Sequence, residues 1–264
     1  TYGTSTLVMA KSGTQYINYL NGEDVYNLTV NDGSTTELVC LDDSGGTLDL
    51  YGDLIVNEKL RSASSGSTNS NILFRAVKTI TVGSDVRTTA LSDLYRIQLH
   101  HNGGTIDVPE LTTKRLFVSN GGSGAIGRAT GDLTITEEIE VSTGTTFNAN
   151  GNTINVKLLD SNTGTVNLSN SALSFLSAGQ LNLNYNSTLT TGNTTITGYS
   201  SGSKTTAVLP MDGNFEVVGD VKWMKMNTDS DLTVIGAVID CDTSLSGANI
   251  RQWHHTLDTQ QLLD

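Results

Sequence analysis

The stretch "NTINVKLLDSNTGTVNLSNSALSFL", residues 152–176, decides how the chain is read. Aliphatic and polar residues alternate through it, as in Ile154 and Val156, Val166 and Leu168, Leu173 and Phe175. Alternation with a period of two puts successive side chains on opposite faces of an extended strand. The runs are short, and Asn, Ser and Gly fill the gaps where the chain must turn. One unit recurs as GTLDL (46–50), GTIDV (104–108), NTINV (152–156), GTVNL (164–168) and GQLNL (179–183). Another recurs as GDLIV (52–56), GDLTI (131–135) and GDVKW (219–223), with fragments NLTV (27–30) and DLTV (231–234). In the first unit the leading Gly or Asn permits a positive φ. The two aliphatics then point inward, and the polar residue between them points to water. Asp49, Asp107, Asn155, Asn167 and Asn182 are therefore expected to be outward, solubilising residues.

The copies are unevenly spaced, and no helical segment separates them. Such a pattern argues against α/β. It predicts an all-β fold, an irregular right-handed parallel β-solenoid (β-helix) of roughly 20–25 residues per coil. The alternative architecture is stacked β-sandwich or jelly-roll domains. Apolar residues are 36% of the 264, which is little for a sphere and enough for a thin body with a narrow core. Only two prolines, Pro109 and Pro210, interrupt the supply of amide donors. The pattern divides the chain into an N-terminal attachment or capping segment (1–45), a solenoid body (46–245) and a C-terminal cap or oligomer-contact segment (246–264). In "ANIRQWHHTLDTQQLLD" (248–264), Ile250, Trp253 and Leu257 fit a helix. Arg251, Trp253, His255 and Leu257 fit a strand equally well.

The formal net charge of -12 disfavours nucleic acid and anionic membrane as partners. Apolar runs such as TVIGAVI (233–239) are far shorter than the roughly 18 residues of a transmembrane helix. The start, TYGTSTLVMAKSG (1–13), has no basic segment followed by an apolar one, so no export signal is expected. Cys40 and Cys241 alternate in phase with aliphatic neighbours and read as buried thiols.

Candidate chemistry fails on context. GGSGAIG (121–127) contains G-x-G-x-x-G, the spacing that cradles a pyrophosphate when a helix follows it. Here RATGDLTIT (128–136) follows, which has a glycine and then a strand pattern, so the motif reads as a flexible corner. His100-His101 and His254-His255 are neighbours that strands would point to opposite faces, and each pair reads as surface or cap residues. NTD (227–229) resembles the N-T-D motif of polygalacturonase-type hydrolases. The paired aspartates, G-H-G and R-I-K that follow in that family are missing downstream. Asp229 and Asp231 remain the carboxylates on which a polysaccharide-degrading reading would rest. The same segment lacks the glycine and glutamate of a calcium loop. No catalytic, cofactor-binding or metal residue is therefore assigned.

The segments GGTLDLYGDLIVNEKL (45–60), NTINVKLLDSNTGTVNLSNSALSFL (152–176) and GQLNLNYNSTL (179–189) resemble β-solenoid modules of phage virion proteins: tail fibres, tailspikes and capsid decorations. The resemblance implies a non-enzymatic structural protein of a virion surface, without cofactor. Its partners would be itself, as a homotrimer, other virion proteins and a host surface glycan. A segment of a bacterial cell-surface adhesin is the alternative. Aromatic and apolar residues near the ends, Tyr16, Tyr19, Tyr26, Trp253 and Leu257, are the expected assembly contacts, because such side chains bury much area at low entropy cost.

Overall fold

Alternation becomes architecture by stacking. The computed structural model describes residues 70–120 and 124–183 as long stretches. It also describes 4–10, 13–17, 24–30, 38–41, 46–62, 188–190, 194–197, 205–208, 215–218, 221–224, 252–256 and 259–263. Apart from one hairpin, every strand among the described residues pairs in parallel with its equivalent one coil away. The chain is a parallel β-solenoid, as the repeated unit predicts.

The core is a set of like-on-like ladders. Leu48, Ile72, Ile97, Leu116, Ile139, Leu159 and Leu181 follow one another in register along the long sheet, all fully buried. Leu111, Leu133, Ile154 and Leu173 form a second ladder on an adjoining stretch. Each such side chain contributes about 1.5–3 kcal/mol by leaving water. Other walls are the four-stranded sheet Thr6–Met9, Asn27–Val30, Leu54–Val56 and Ile80–Val82, and the three-stranded sheet Thr14–Ile17, Leu38–Leu41 and Lys59–Ser62. A five-stranded sheet runs from Thr105–Val108 through Ile126–Ala129, Thr146–Asn148 and Thr165–Asn167 to Thr188–Thr190.

One coil substitutes a turn for a strand. SDVRTTALSDL (84–94) lacks alternation, and it forms the short 3-10 helix Ser84–Val86 followed by turns. The neighbouring strands still find partners there. The Leu60 N–H donates to the Ala90 carbonyl at 2.8 Å, and the Thr112 N–H donates to the Arg87 carbonyl at 3.2 Å. Ala90, Leu91 and Leu94 are buried and keep the core continuous across the gap.

The Gly-Asp-Leu unit has a physical role that composition hides. The Asp53 Oδ1 accepts the Thr79 N–H of the next coil at 2.9 Å, and the Asp132 Oδ1 accepts the Thr153 N–H at 2.8 Å. Asn27 plays the same part in its fragment, accepting the Asp53 N–H at 2.8 Å. These side chains staple one coil to the next. Gly52 precedes Asp53 because a Cβ there would fall on the Tyr26 carbonyl and the Asn27 side-chain oxygen.

Strands Thr6–Met9, Thr14–Ile17, Asp24–Val25, Asn27–Val30 and Leu38–Leu41 belong to the same parallel sheets as the body. At the other end, Gln252–Thr256 and Thr259–Leu263 form an antiparallel hairpin with Trp253 beside Leu262, so the strand pattern prevails over the helical one. Among the described residues no helix is long and apolar enough to cross a membrane.

Candidate functional site

In-register stacking collects distant polar residues into rows. On the outer face of the long sheet, Asn71, Arg96, Arg115 and Glu138 occupy one row. Gln98, Phe117, Glu140 and Asp160 occupy the next. Arg96 and Arg115 are like charges in adjacent coils, an arrangement that costs energy unless each is compensated. Each guanidinium lies over a ring: Arg96 is 4.6 Å from the Phe117 centroid and Arg115 is 4.8 Å from that of Tyr95. Arg115 also donates to Glu137 at 2.7 Å and lies 3.3 Å from Glu138.

The electrostatics follow from half-burial. Burial lowers the Arg96 pKa. Burial would lower that of Arg115 too, but its bond to Glu137 and the nearby carboxylates raise it overall. Burial pushes the Glu138 carboxyl up against the pull of Arg115. Burial, Glu138 and Asp160 together push Glu140 up. The strip therefore offers carboxyls that hold a proton to higher pH than usual, beside guanidiniums and ring edges. It can accept and donate hydrogen bonds to an extended polar ligand.

At the margin of this strip the Gln98 Nε2 donates to the Ser119 Oγ at 2.8 Å. That hydroxyl lies 3.0 Å from the His100 Nδ1. Burial first, and Arg75 next, lower the His100 pKa, which favours a neutral imidazole. Arg75 is held by Asp49, with Nε donating at 2.7 Å.

Several sequence expectations are corrected here. Asp49 is buried and ion-paired with Arg75 rather than facing water, because Arg75 sits one coil on. Asp107 is exposed as expected, but it takes a forked pair of bonds from Arg128 at 2.7 and 2.9 Å. The two histidines do point opposite ways, yet His101 is buried, its Nδ1 2.8 Å from the Gly103 carbonyl oxygen. The glycine-rich corner is shorter than its composition suggests. Ile126–Ala129 is a strand, and Gly127 is one of its buried positions, facing a core too tight for a side chain.

Of the expected assembly contacts, three fall on described residues. Tyr16 is exposed on the strand Thr14–Ile17. Tyr26 is half-buried, with the Lys78 ammonium 5.4 Å from its ring centroid. Trp253 lies in the C-terminal hairpin. Tyr19, Leu257, Asp229, Asp231 and Cys241 lie outside the described residues. Among the described residues no group of three or more His, Cys, Asp or Glu side chains is placed to hold a metal ion. Beside the first coil lies an open cleft of about 430 Å³, lined by Leu7, Asp24, Val25, Tyr26 and Tyr51 among others. Comparison of the chain with family models, with characterised proteins and with solved structures finds no match.

Proposed function

We propose that the chain is a non-enzymatic structural protein of a phage particle surface, of the capsid-decoration, tail-fibre or tailspike kind. One observation carries the reading: the described ion pairs join one coil to a neighbouring coil. Lys59 reaches Asp93, Arg75 reaches Asp49, Arg87 reaches Glu110, Arg115 reaches Glu137 and Arg128 reaches Asp107. Charge is thus used to knit a rod along its axis. A rod with a continuous apolar core and charge-stitched walls suits a part that bears load and holds shape.

In this role the partners are other virion proteins and further copies of the chain. The Arg96–Asp160 strip is where a host surface glycan would lie, since stacked guanidiniums, ring edges and carboxyls complement hydroxyl groups. Mass spectrometry of purified particles tests the reading. Detection at stoichiometric abundance is the expected result, and absence from particles would sink it. An exported chain recovered on the bacterial surface would support the adhesin reading instead.

A further inference from the structure

Acidic residues outnumber basic ones by 27 to 15 in this chain, so cations left without carboxylates need a reason. A group of them lies on the wall formed by Lys59–Ser62 and the coils that follow. Lys59 and Arg61 alternate with the buried Leu60 and Ser62 and therefore face outward. The Ser62 N–H donates to the Asp93 carbonyl at 3.2 Å, which sets Asp93 one coil on. The Lys114 N–H donates to the Leu94 carbonyl at 3.3 Å, which sets Lys114 one coil further. Asp93 is ion-paired with Lys59. That bond holds the Asp93 carboxyl below its ordinary range against the effect of burial, and Lys114 and Arg61 add to the pull. Three cations thus share one carboxylate. Among the described residues, neither Arg61 nor Lys114 has an ion pair. The Arg61 Nε is buried and has no acceptor. Residues 63–69, which come next in the chain, include no acidic side chain.

We infer that Lys59, Arg61 and Lys114 form a seat for a phosphoryl group. A buried donor without an acceptor is uncommon in a folded protein, and it marks a guanidinium that the fold itself does not use. The choice of ligand follows from charge. Three positive charges against the one negative charge of Asp93 leave an excess of two, which a dianion balances and a single carboxylate does not. A guanidinium offers a planar fork of donors to phosphate oxygens, and each lysine adds a point charge. Asp93 competes with the phosphoryl group for Lys59. The same chemistry serves free phosphate and a phosphate monoester carried on a larger molecule. The seat shares no residue with the Arg96–Asp160 strip and is independent of the virion reading.

Titration calorimetry on the full chain tests the seat, at constant ionic strength and above about pH 7, where phosphate is mostly the dianion. Inorganic phosphate should bind saturably at one site. Arg61→Gln and Lys114→Gln should each weaken it about tenfold, the loss of one charge-assisted bond, with an unchanged far-UV spectrum. Asp93→Asn should tighten it, because Lys59 is released to the ligand. Lys157→Gln, at an exposed lysine two coils beyond Lys114, should leave it unchanged. Glycerol phosphate and glycerol separate the sources. Binding of inorganic phosphate alone assigns the seat to the free ion. Binding of glycerol phosphate as well, but not of glycerol, extends it to monoesters, and either result upholds the seat. Absence of saturable phosphate binding by the wild type would overturn the proposal. So would full affinity in both Arg61→Gln and Lys114→Gln, an equal loss in Lys157→Gln, or a failure of Asp93→Asn to tighten binding.

Discussion

Gly127 offers the sharpest test of how this chain is packed. It lies in the strand Ile126–Ala129, between Ile106 in one neighbouring coil and Phe147 in the other. A Cβ added there would lie 2.9 Å from Leu99 Cδ1 and 2.9 Å from Val118 Cγ2. Two effects oppose one another in Gly127→Ala. Reduced backbone freedom of the unfolded chain favours alanine by about 0.5–1 kcal/mol. Overpacking costs about 1–3 kcal/mol. Leu99 Cδ1 ends a flexible side chain and can swing aside. Val118 has a single side-chain torsion and is held in its ladder between Leu99 and Val141, so it cannot. Overpacking should win, with a net loss of about 1–2 kcal/mol for alanine and more for Gly127→Val. Urea unfolding followed by far-UV circular dichroism should show a lower midpoint with an unchanged slope. If Gly127→Ala is as stable as the wild type, Gly127 does not face the core. A phosphate-binding role would predict that outcome, together with loss of anion binding.

Other consequences follow from the ladders and the outer strip. Leu116→Ala should cost about 2–5 kcal/mol, because Ile97 and Ile139 on either side cannot close the gap without leaving register. Calorimetry or urea titration would measure it. Asp49→Ala should cost about 1 kcal/mol, because it removes a buried carboxylate but leaves an Arg75 guanidinium that water can reach, while Asp107→Ala, at an exposed pair, should be indistinguishable from wild type in the same assay. Glu138 and Glu140 titrate above their ordinary range when folded. They therefore favour folding in acid, and their contribution is lost as pH rises through the raised values. Glu140→Gln should raise stability near neutral pH and flatten its decline as pH rises through the raised Glu140 value. Asp93 has the opposite sign, since its bond to Lys59 holds it low, so its contribution disappears as pH falls toward that lowered value.

The fold was legible because its signal is local. Alternation and polar turns in residues 152–176 need no long-range knowledge, and they became stacked strand registers, with the left-handed turn positions taken by Thr163 and Asn170 rather than by glycine. The Arg96–Asp160 strip was not legible, because its rows join residues of five different coils. Which residues share a row depends on coil length. The turn segment at residues 84–94 shows that length cannot be read from strand pattern alone. Asp49 was misread for the same reason: its partner Arg75 is adjacent only after stacking. His101 was misassigned because its strand, Arg96–His101, carries the alternation two residues past the last aliphatic, Leu99. The inner character of Gly127 was masked by composition, since a glycine among glycines suggests a loop.

The corner staples set a limit on how such a chain can change. Its coils differ in length, so spacing cannot tell a strand where to begin. A slip of one residue would turn every aliphatic outward. Asn27, Asp53 and Asp132 each grip a particular backbone amide of the next coil and so fix the phase of the strand that follows. Loops between staples are then free to lengthen, shorten or take on new sequence without disturbing the core. Variation in this molecule is licensed at its corners, and what must stay constant is the phase kept by a few short side chains.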